Sequence, residues 1–132
     1  MNWLVKTEPS DYSFAQLQKD GRTVWSGVRN PVAQKHLRSM KKGDGVLVYH
    51  TGGEKAAVGL ARAASAPYAD PKDASLSVVE LEAVRPLEKP VTLASVKADP
   101  AFKDFALVRI GRLSVMPVDE AQWRRLMGMA GE

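Results

Sequence analysis

The 132-residue sequence contains no cysteine, so disulfide bonds and thiolate metal sites are excluded. It has no unbroken apolar run of the length that a membrane-spanning helix needs. The segment from Met1 to Lys6 lacks the charged start, apolar middle and small-residue cleavage site of a signal peptide. These absences lead us to expect a cytoplasmic protein that does not contact a membrane.

Nucleotide-binding loops and metal-binding clusters are also missing. No Gly-x-Gly-x-x-Gly pattern follows a predicted strand, and no Walker pattern occurs. The two histidines, His36 and His50, are not at the spacing of paired metal ligands. His50 has no nucleophile motif beside it, so a catalytic triad is unsupported. We therefore expect neither a cofactor nor a metal site.

Positive charge is concentrated in the first third of the chain. Residues 1–42 hold eight Lys or Arg and three Asp or Glu, whereas residues 43–132 hold eleven basic and twelve acidic residues. A basic patch is the expected footprint of a polyanionic partner, although a solvated helix face would give the same imbalance. The excess is too small for strong, non-specific binding to a duplex.

Alternating and capped segments predict an α+β fold. Apolar residues with a period of two predict strands over residues 2–7, 44–50, 55–64, 76–86 and 113–118. Capping residues predict helices over residues 13–19, 31–41, 92–98 and 119–127. On the helix over 31–41, the inward face would carry Val32, Ala33, Leu37 and Met40. This order predicts one domain over residues 1–132, with a strongly curved, mainly antiparallel sheet of five or six strands.

The stretch from Arg22 to Asn30 carries the residue types that can hold a base outside its stack. Trp25 offers a flat stacking surface, Arg29 a cation for a phosphate or a base edge, and Asn30 an amide that donates and accepts. Asn30 and Pro31 also begin a helix, whose positive dipole end lies toward Trp25. The competing interpretation is that Trp25 packs in the core, as we expect for Trp3 and Trp123.

Five separated blocks of sequence occur in the order found in a known family. The blocks are residues 3–10, 23–30, 33–40, 42–50 and 112–118. On these blocks the chain resembles the EVE domain family, within the PUA-like group that also includes YTH domains, over nearly its whole length. The family usually has Asp where this chain has Ser26. The resemblance implies a PUA-like fold, which is a curled antiparallel or mixed β-barrel surrounded by short helices.

The resemblance also implies binding of a modified nucleobase, a cytosine or adenine derivative, in DNA or RNA. Carried over by position, the base-binding pocket would be formed by Lys6, Glu8, Trp25, Val28, Arg29, Asn30, Tyr49, His50, Arg112 and Ser114. Phosphate contacts would come from the basic face of the helix over 31–41 and its end, through Lys35, Arg38 and Lys42. We expect one cleft to be lined by Trp25, Asn30, Tyr49 or His50, and Arg112 or Ser114, in a monomeric protein.

An enzymatic alternative is a small amidohydrolase. Some PUA-like relatives of the ASCH type resemble such enzymes, which use Lys, Thr and Glu, and this chain has Lys6, Thr7 and Glu8 in sequence. Lys6 and Glu8 would share a face of a continued strand and could act on an acylated nucleoside, but Thr7 would point to the opposite side. We therefore rank a binding module above an enzyme.

Overall fold

Seven strands and five short α-helices make up the computed structural model, which describes residues 1–132. In chain order the elements are β1 (Asn2–Thr7), α1 (Phe14–Asp20), β2 (Arg22–Trp25), α2 (Pro31–Arg38), β3 (Gly45–His50), β4 (Ala56–Ala63), β5 (Tyr68–Asp70), β6 (Asp73–Thr92), α3 (Leu93–Lys97), α4 (Ala106–Arg109), β7 (Val115–Val118) and α5 (Glu120–Met129). A 3-10 turn, Pro100–Phe102, lies between α3 and α4. None of the helices has both the length and the apolar character needed to cross a bilayer.

The strands form an open, mixed sheet. Their order is β2–β6–β4–β3–β1–β7, with β5 paired to β6. β1 and β3 run parallel, whereas the other pairs are antiparallel. β2 and β7 are free edges, so the expected closed β-barrel is wrong. α2 packs against both β6 and β7 and therefore lies across the opening, where the two edges of a closed barrel would have to pair.

Several predicted helices begin where the sequence indicates, because a capping side chain fixes each start. The hydroxyl of Ser13 accepts a hydrogen bond from the N–H of Gln16 at α1, and Thr92 caps α3 in the same way. Asp119 and Gln122 form a reciprocal capping box at α5. These contacts lie within one turn of each helix, so the local sequence is sufficient to predict them.

The sequence predicts neither β2 nor β5, so the sheet has seven strands instead of five or six. β2 has four residues and β5 has three, and each pairs with β6. Strands this short lack enough alternation to be recognised alone, and their pairing partner lies far along the chain.

α2 is shorter than predicted and its buried face is different. It ends at Arg38, where the N–H of Ser39 bonds to carbonyls of the last turn, and not near Lys41. Val32 is 50% exposed instead of facing inward, whereas Gln34 is buried. The polar residue takes the buried position because it finds backbone partners there. Ala33, Leu37 and Met40 are buried, as predicted.

β1 lies in the centre of the fold and is buried on both sides. Trp3, Leu4 and Val5 are all buried, since the strand pairs with β3 on one side and β7 on the other. The indole Nε1–H of Trp3 donates to a carboxylate oxygen of Asp44 at 2.8 Å, which satisfies its buried polar atom. Trp123 on α5 is partly buried against the same core.

Two contacts hold α1 against the sheet. An ideal Cβ at Gly59 on β4 would lie 2.3 Å from Cδ1 of Phe14, so glycine leaves the space that the ring occupies. The N–H of Phe14 donates to Nε2 of His50 at 3.0 Å, and Nδ1 of His50 lies 2.7 Å from a carboxylate oxygen of Glu54. These bonds require the neutral imidazole with its proton on Nδ1. α1 and the residues just before it are thereby fixed relative to β3 and β4.

We predict that Gly59→Ala lowers the free energy of unfolding by about 1–3 kcal/mol or more, because the added methyl group collides with the Phe14 ring. Chemical denaturation monitored by tryptophan fluorescence measures this change. Gly53→Ala is the matched control, since its Cβ would meet nothing within 4 Å. Equal stability of the two variants would show that α1 does not depend on this close approach.

Candidate functional site

A cavity of about 340 Å³ opens where the sheet fails to close. Its walls come from the end of β1, from the segment just before α1, from β2 and the loop that follows it, and from the residue just before β7. The lining residues are Lys6, Thr7, Tyr12, Thr23, Val24, Trp25, Ser26, Gly27, Val28, Arg29 and Ser114. Small-molecule sites in proteins have volumes of about 300–1,000 Å³. The gap between the two edges of the sheet is therefore large enough to accept a small flat group.

The Trp25 side chain packs in the apolar core and also forms part of the cavity wall. This side chain is only 7% exposed and belongs to the main apolar cluster, yet it lines the cavity. Tyr12 meets the indole edge-on, with ring centroids 6.1 Å apart and an interplanar angle of 83°. The hydroxyl of Tyr12 donates in turn to a carboxylate oxygen of Asp20, at the end of α1. The Trp25 ring is thus held in a fixed orientation.

Lys6 supplies a cation from the end of β1. Its Nζ donates to the carbonyl oxygen of Gly111 at 2.8 Å and lies 5.6 Å from the ring centroid of Tyr49. Burial lowers the pKa of the Lys6 amine from its ordinary value. The two contacts fix the position of the amine between β1 and the turn that precedes β7.

The loop after β2 is held by a buried amide on α2. The side chain of Gln34 is 3% exposed, and its Nε2 donates to the carbonyl oxygens of Val28 at 2.6 Å and Ser77 at 3.1 Å. Its Oε1 accepts from the N–H of Ser77 at 2.8 Å. Gly27, with φ of +78°, supplies the left-handed backbone that the loop needs. The loop residues that line the cavity are therefore fixed to both α2 and β6.

The charged side chains that line the cavity are both cations. Lys6 and Arg29 are among the lining residues, and no aspartate or glutamate is. Arg29 is exposed, so its guanidinium is accessible at the rim. A negatively charged ligand, or an uncharged group attached to a negatively charged chain, would be favoured at such an opening.

Five of the candidate pocket residues meet around this cavity, and they are Lys6, Trp25, Val28, Arg29 and Ser114. They come from three segments that are distant in the sequence. Val28 is buried and contributes its apolar surface to the wall, whereas Ser114 is partly buried and offers a hydroxyl.

The other candidates have different surroundings. Asn30 caps α2, since its side-chain oxygen accepts from the N–H groups of the second and third helical residues at 2.9 and 3.0 Å. Tyr49 is buried beneath Lys6, and His50 holds α1. Arg112 is exposed in the turn before β7. None of these four is among the residues that line the cavity.

Glu8 and Lys6 take separate partners. The Glu8 carboxylate accepts from the hydroxyls of Thr51 at 3.1 Å and Ser10 at 3.2 Å, whereas Lys6 donates to Gly111. Glu8 does not line the cavity that Lys6 does. β1 ends at Thr7, so the continued strand that would put both side chains on one face is absent.

The candidate phosphate-binding residues lie on and after α2. Lys35, Arg38 and Lys42 are all exposed, and Arg38 donates to the side-chain oxygen of Gln34 at 3.4 Å. α2 begins two residues after Arg29, so the start of this helix adjoins the loop that lines the cavity. No cluster of His, Cys, Asp or Glu is suited to holding a metal ion.

Sequence reasoning missed Thr7, Tyr12, Thr23, Val24 and Gly27 as cavity residues, and it missed the role of Gln34 altogether. Tyr12 reaches the cavity because Glu8-Pro9-Ser10 turns the chain back before α1, and the N–H of Tyr12 bonds to the carbonyl of Glu8. The turn itself was predictable, but the direction of the tyrosine depends on where α1 packs.

Comparison with known proteins gives a family and several relatives. The EVE domain family matches residues 1–129. A Rhodopseudomonas palustris protein solved by NMR is 42% identical, with a TM-score of 0.94 over 98% of this chain and 92% of that chain. Thymocyte nuclear protein 1 of Gallus gallus is 25% identical over 99% of this chain and 69% of its own length. The human THYN1 protein, crystallised with DNA containing 5-methylcytosine, is 23% identical, with a TM-score of 0.90 over 99% of this chain and 98% of that chain.

We predict that Gln34→Ala lowers the free energy of unfolding by about 1–3 kcal/mol, because it removes the partner of the buried Val28 carbonyl and of the partly buried Ser77 N–H. Hydrogen exchange should quicken at the Ser77 amide and at residues 26–30. Gln18→Ala, on the exposed face of α1, is the control and should change stability by less than about 0.5 kcal/mol. Unchanged exchange at Ser77 would contradict this role for Gln34.

Proposed function

The chain belongs to the EVE domain family, and on that basis we propose that it binds a nucleic-acid strand and holds a modified base of that strand in the cavity beside Trp25. The observation that carries the proposal is a nearly buried indole, fixed edge-on by Tyr12, in the wall of a cavity lined by two cations and no carboxylate. A base that has left its stack needs such an aromatic surface and a cationic surrounding for its phosphates.

The chemistry of the wall suits recognition of a base. Ser26 and Ser114 present hydroxyls that can each donate and accept, which fits the mixed donors and acceptors of a base edge. Val24 and Val28 provide apolar surface against which a small substituent such as a methyl group can pack. Polar groups in a partly enclosed site discriminate more strongly than exposed ones, because a mismatched ligand leaves them unpaired.

Phosphate contacts outside the cavity would supply affinity without base selectivity. Lys35 and Arg38 lie exposed on α2, and Lys42 lies exposed just after this helix. The nucleic-acid strand on either side of the captured base would pass there. Contacts to phosphates fix the register and orientation of the strand, whereas contacts to the base edge provide its specificity. The division between the cavity and α2 therefore separates selectivity from affinity.

The likeness to human THYN1 supports this proposal and suggests the first probe. That protein was crystallised with DNA that contains 5-methylcytosine. We therefore start from 5-methylcytosine DNA and compare it with unmodified cytosine in the same sequence, then with other cytosine and adenine derivatives and with RNA. The amidohydrolase alternative has less support, because Glu8 is bonded to Thr51 and Ser10 and lies outside the cavity.

We expect Trp25→Leu to weaken binding of the 5-methylcytosine strand by about 1–3 kcal/mol and to abolish its preference over cytosine, since leucine fills apolar space but cannot stack on a base. Fluorescence anisotropy titrations with both strands measure the two effects. Trp123→Leu, a partly buried tryptophan on α5, is the matched control and should retain the preference. A Trp25→Leu protein that still discriminated the methylated base would contradict the assignment.

Lys35→Ala and Lys42→Ala should each weaken modified and unmodified strands alike and lower the salt dependence of binding, by about one unit of slope for each phosphate that the variant no longer neutralises. The measurement is a series of titrations at increasing salt concentration. Lys89→Ala, an exposed lysine near the C-terminal end of β6, should leave the slope unchanged. A change in base preference without a change in slope would place these lysines at the base and not at the phosphates.

A further inference from the structure

The turn between α4 and β7 exposes an apolar side chain between two cations. Ile110 is 50% exposed, and its neighbours Arg109 and Arg112 are also exposed. The carboxylate nearest to Arg109 is that of Asp104, at 3.9 Å, and both side chains are largely in solvent. A surface ion pair of this kind contributes little, so both guanidinium groups are free to take other anions.

This turn is fixed beside the cavity. The carbonyl oxygen of Gly111 accepts the hydrogen bond of Lys6, which lines the cavity, and the carbonyl oxygen of Ile110 accepts from the N–H of Leu113 at 3.1 Å. Ser114, just past the turn, lines the cavity as well. Ile110 therefore lies exposed in an anchored turn, one residue from the Gly111 carbonyl that holds Lys6 at the cavity.

We propose that Ile110 enters the base stack of a duplex at the position that the captured base vacates, while Arg109 and Arg112 hold the phosphates on either side. This inference rests on the proposed function. Taking a base out of a duplex leaves a gap and costs stacking energy. Proteins that distort duplexes commonly insert an apolar wedge between base steps, and an isoleucine bracketed by two arginines has the required composition.

Substitution of Ile110 should affect binding of a duplex and not of a single strand, because only a duplex has a gap to fill. Ile110→Ala should weaken binding of a DNA duplex with one central 5-methylcytosine about tenfold, from loss of buried apolar surface. The same substitution should change binding of the single 5-methylcytosine strand less than about twofold. Ile110→Met should restore most of the duplex affinity, since an unbranched apolar chain can still enter the stack.

Val84→Ala removes a comparably exposed apolar side chain from β6 and is the matched control, expected to bind both substrates as the wild type does. Equal weakening of duplex and single strand by Ile110→Ala, or no weakening of either, would overturn the wedge while leaving the proposed function intact. A wild-type protein that fails to prefer 5-methylcytosine in the single strand, where no gap exists, would instead count against the proposed function with this base and against the wedge that depends on it.

Discussion

The buried amide of Gln34 is the interaction on which the arrangement of the site depends. It joins α2 to the loop after β2 through Val28 and to β6 through Ser77, and its oxygen also accepts from Arg38 on the solvent side. A cavity wall, a sheet strand and the basic face of a helix thus share one side chain. Because an amide can satisfy donors and acceptors at once, no single apolar or charged residue of this size could replace it without leaving a buried group unpaired.

The cavity exists because the two edge strands of the sheet, β2 and β7, do not pair with each other. An exposed strand edge offers unpaired backbone groups to other chains and is normally kept short or covered. Here both β2 and β7 have four residues, β7 contains Pro117, and α2 lies across the opening. The part of the gap that α2 leaves uncovered is the cavity. Closing the barrel fully would have removed the space beside Trp25.

Local signals made much of the fold predictable, and non-local ones account for the differences. The starts of α1, α3 and α5 follow from capping residues within one turn of each helix. The burial of Gln34 could not be read from the pattern of α2, because its partners come from other elements. Trp25 packs in the core, as one interpretation of the sequence expected, and the same ring also borders the cavity.

The surroundings of Tyr49 and His50 also depend on contacts with other elements, which the local sequence does not show. Alternation on a strand suggested that one of them would face the pocket, yet both are buried, one beneath the Lys6 amine and the other against the start of α1. Each still acts on the site indirectly. Tyr49 supports the cation at the end of β1, and His50 fixes the helix that follows Tyr12. Five residues carried over from the family resemblance line one cavity, whereas the positions of the other candidates depended on packing.

The central strand β1 pairs with strands from two distant parts of the chain. Asn2 pairs with Gly45 on one side and with Val118, near the other end of the chain, on the second. Contacts between residues so distant in sequence form slowly, on timescales of about milliseconds to seconds, because the intervening chain must lose its freedom first. The same pairing brings Lys6 and Ser114 together, since the N–H of Lys6 donates to the carbonyl oxygen of Ser114 at 2.9 Å. The cavity thus requires both ends of the chain, and a fragment that lacks either Lys6 or Ser114 lacks part of its wall.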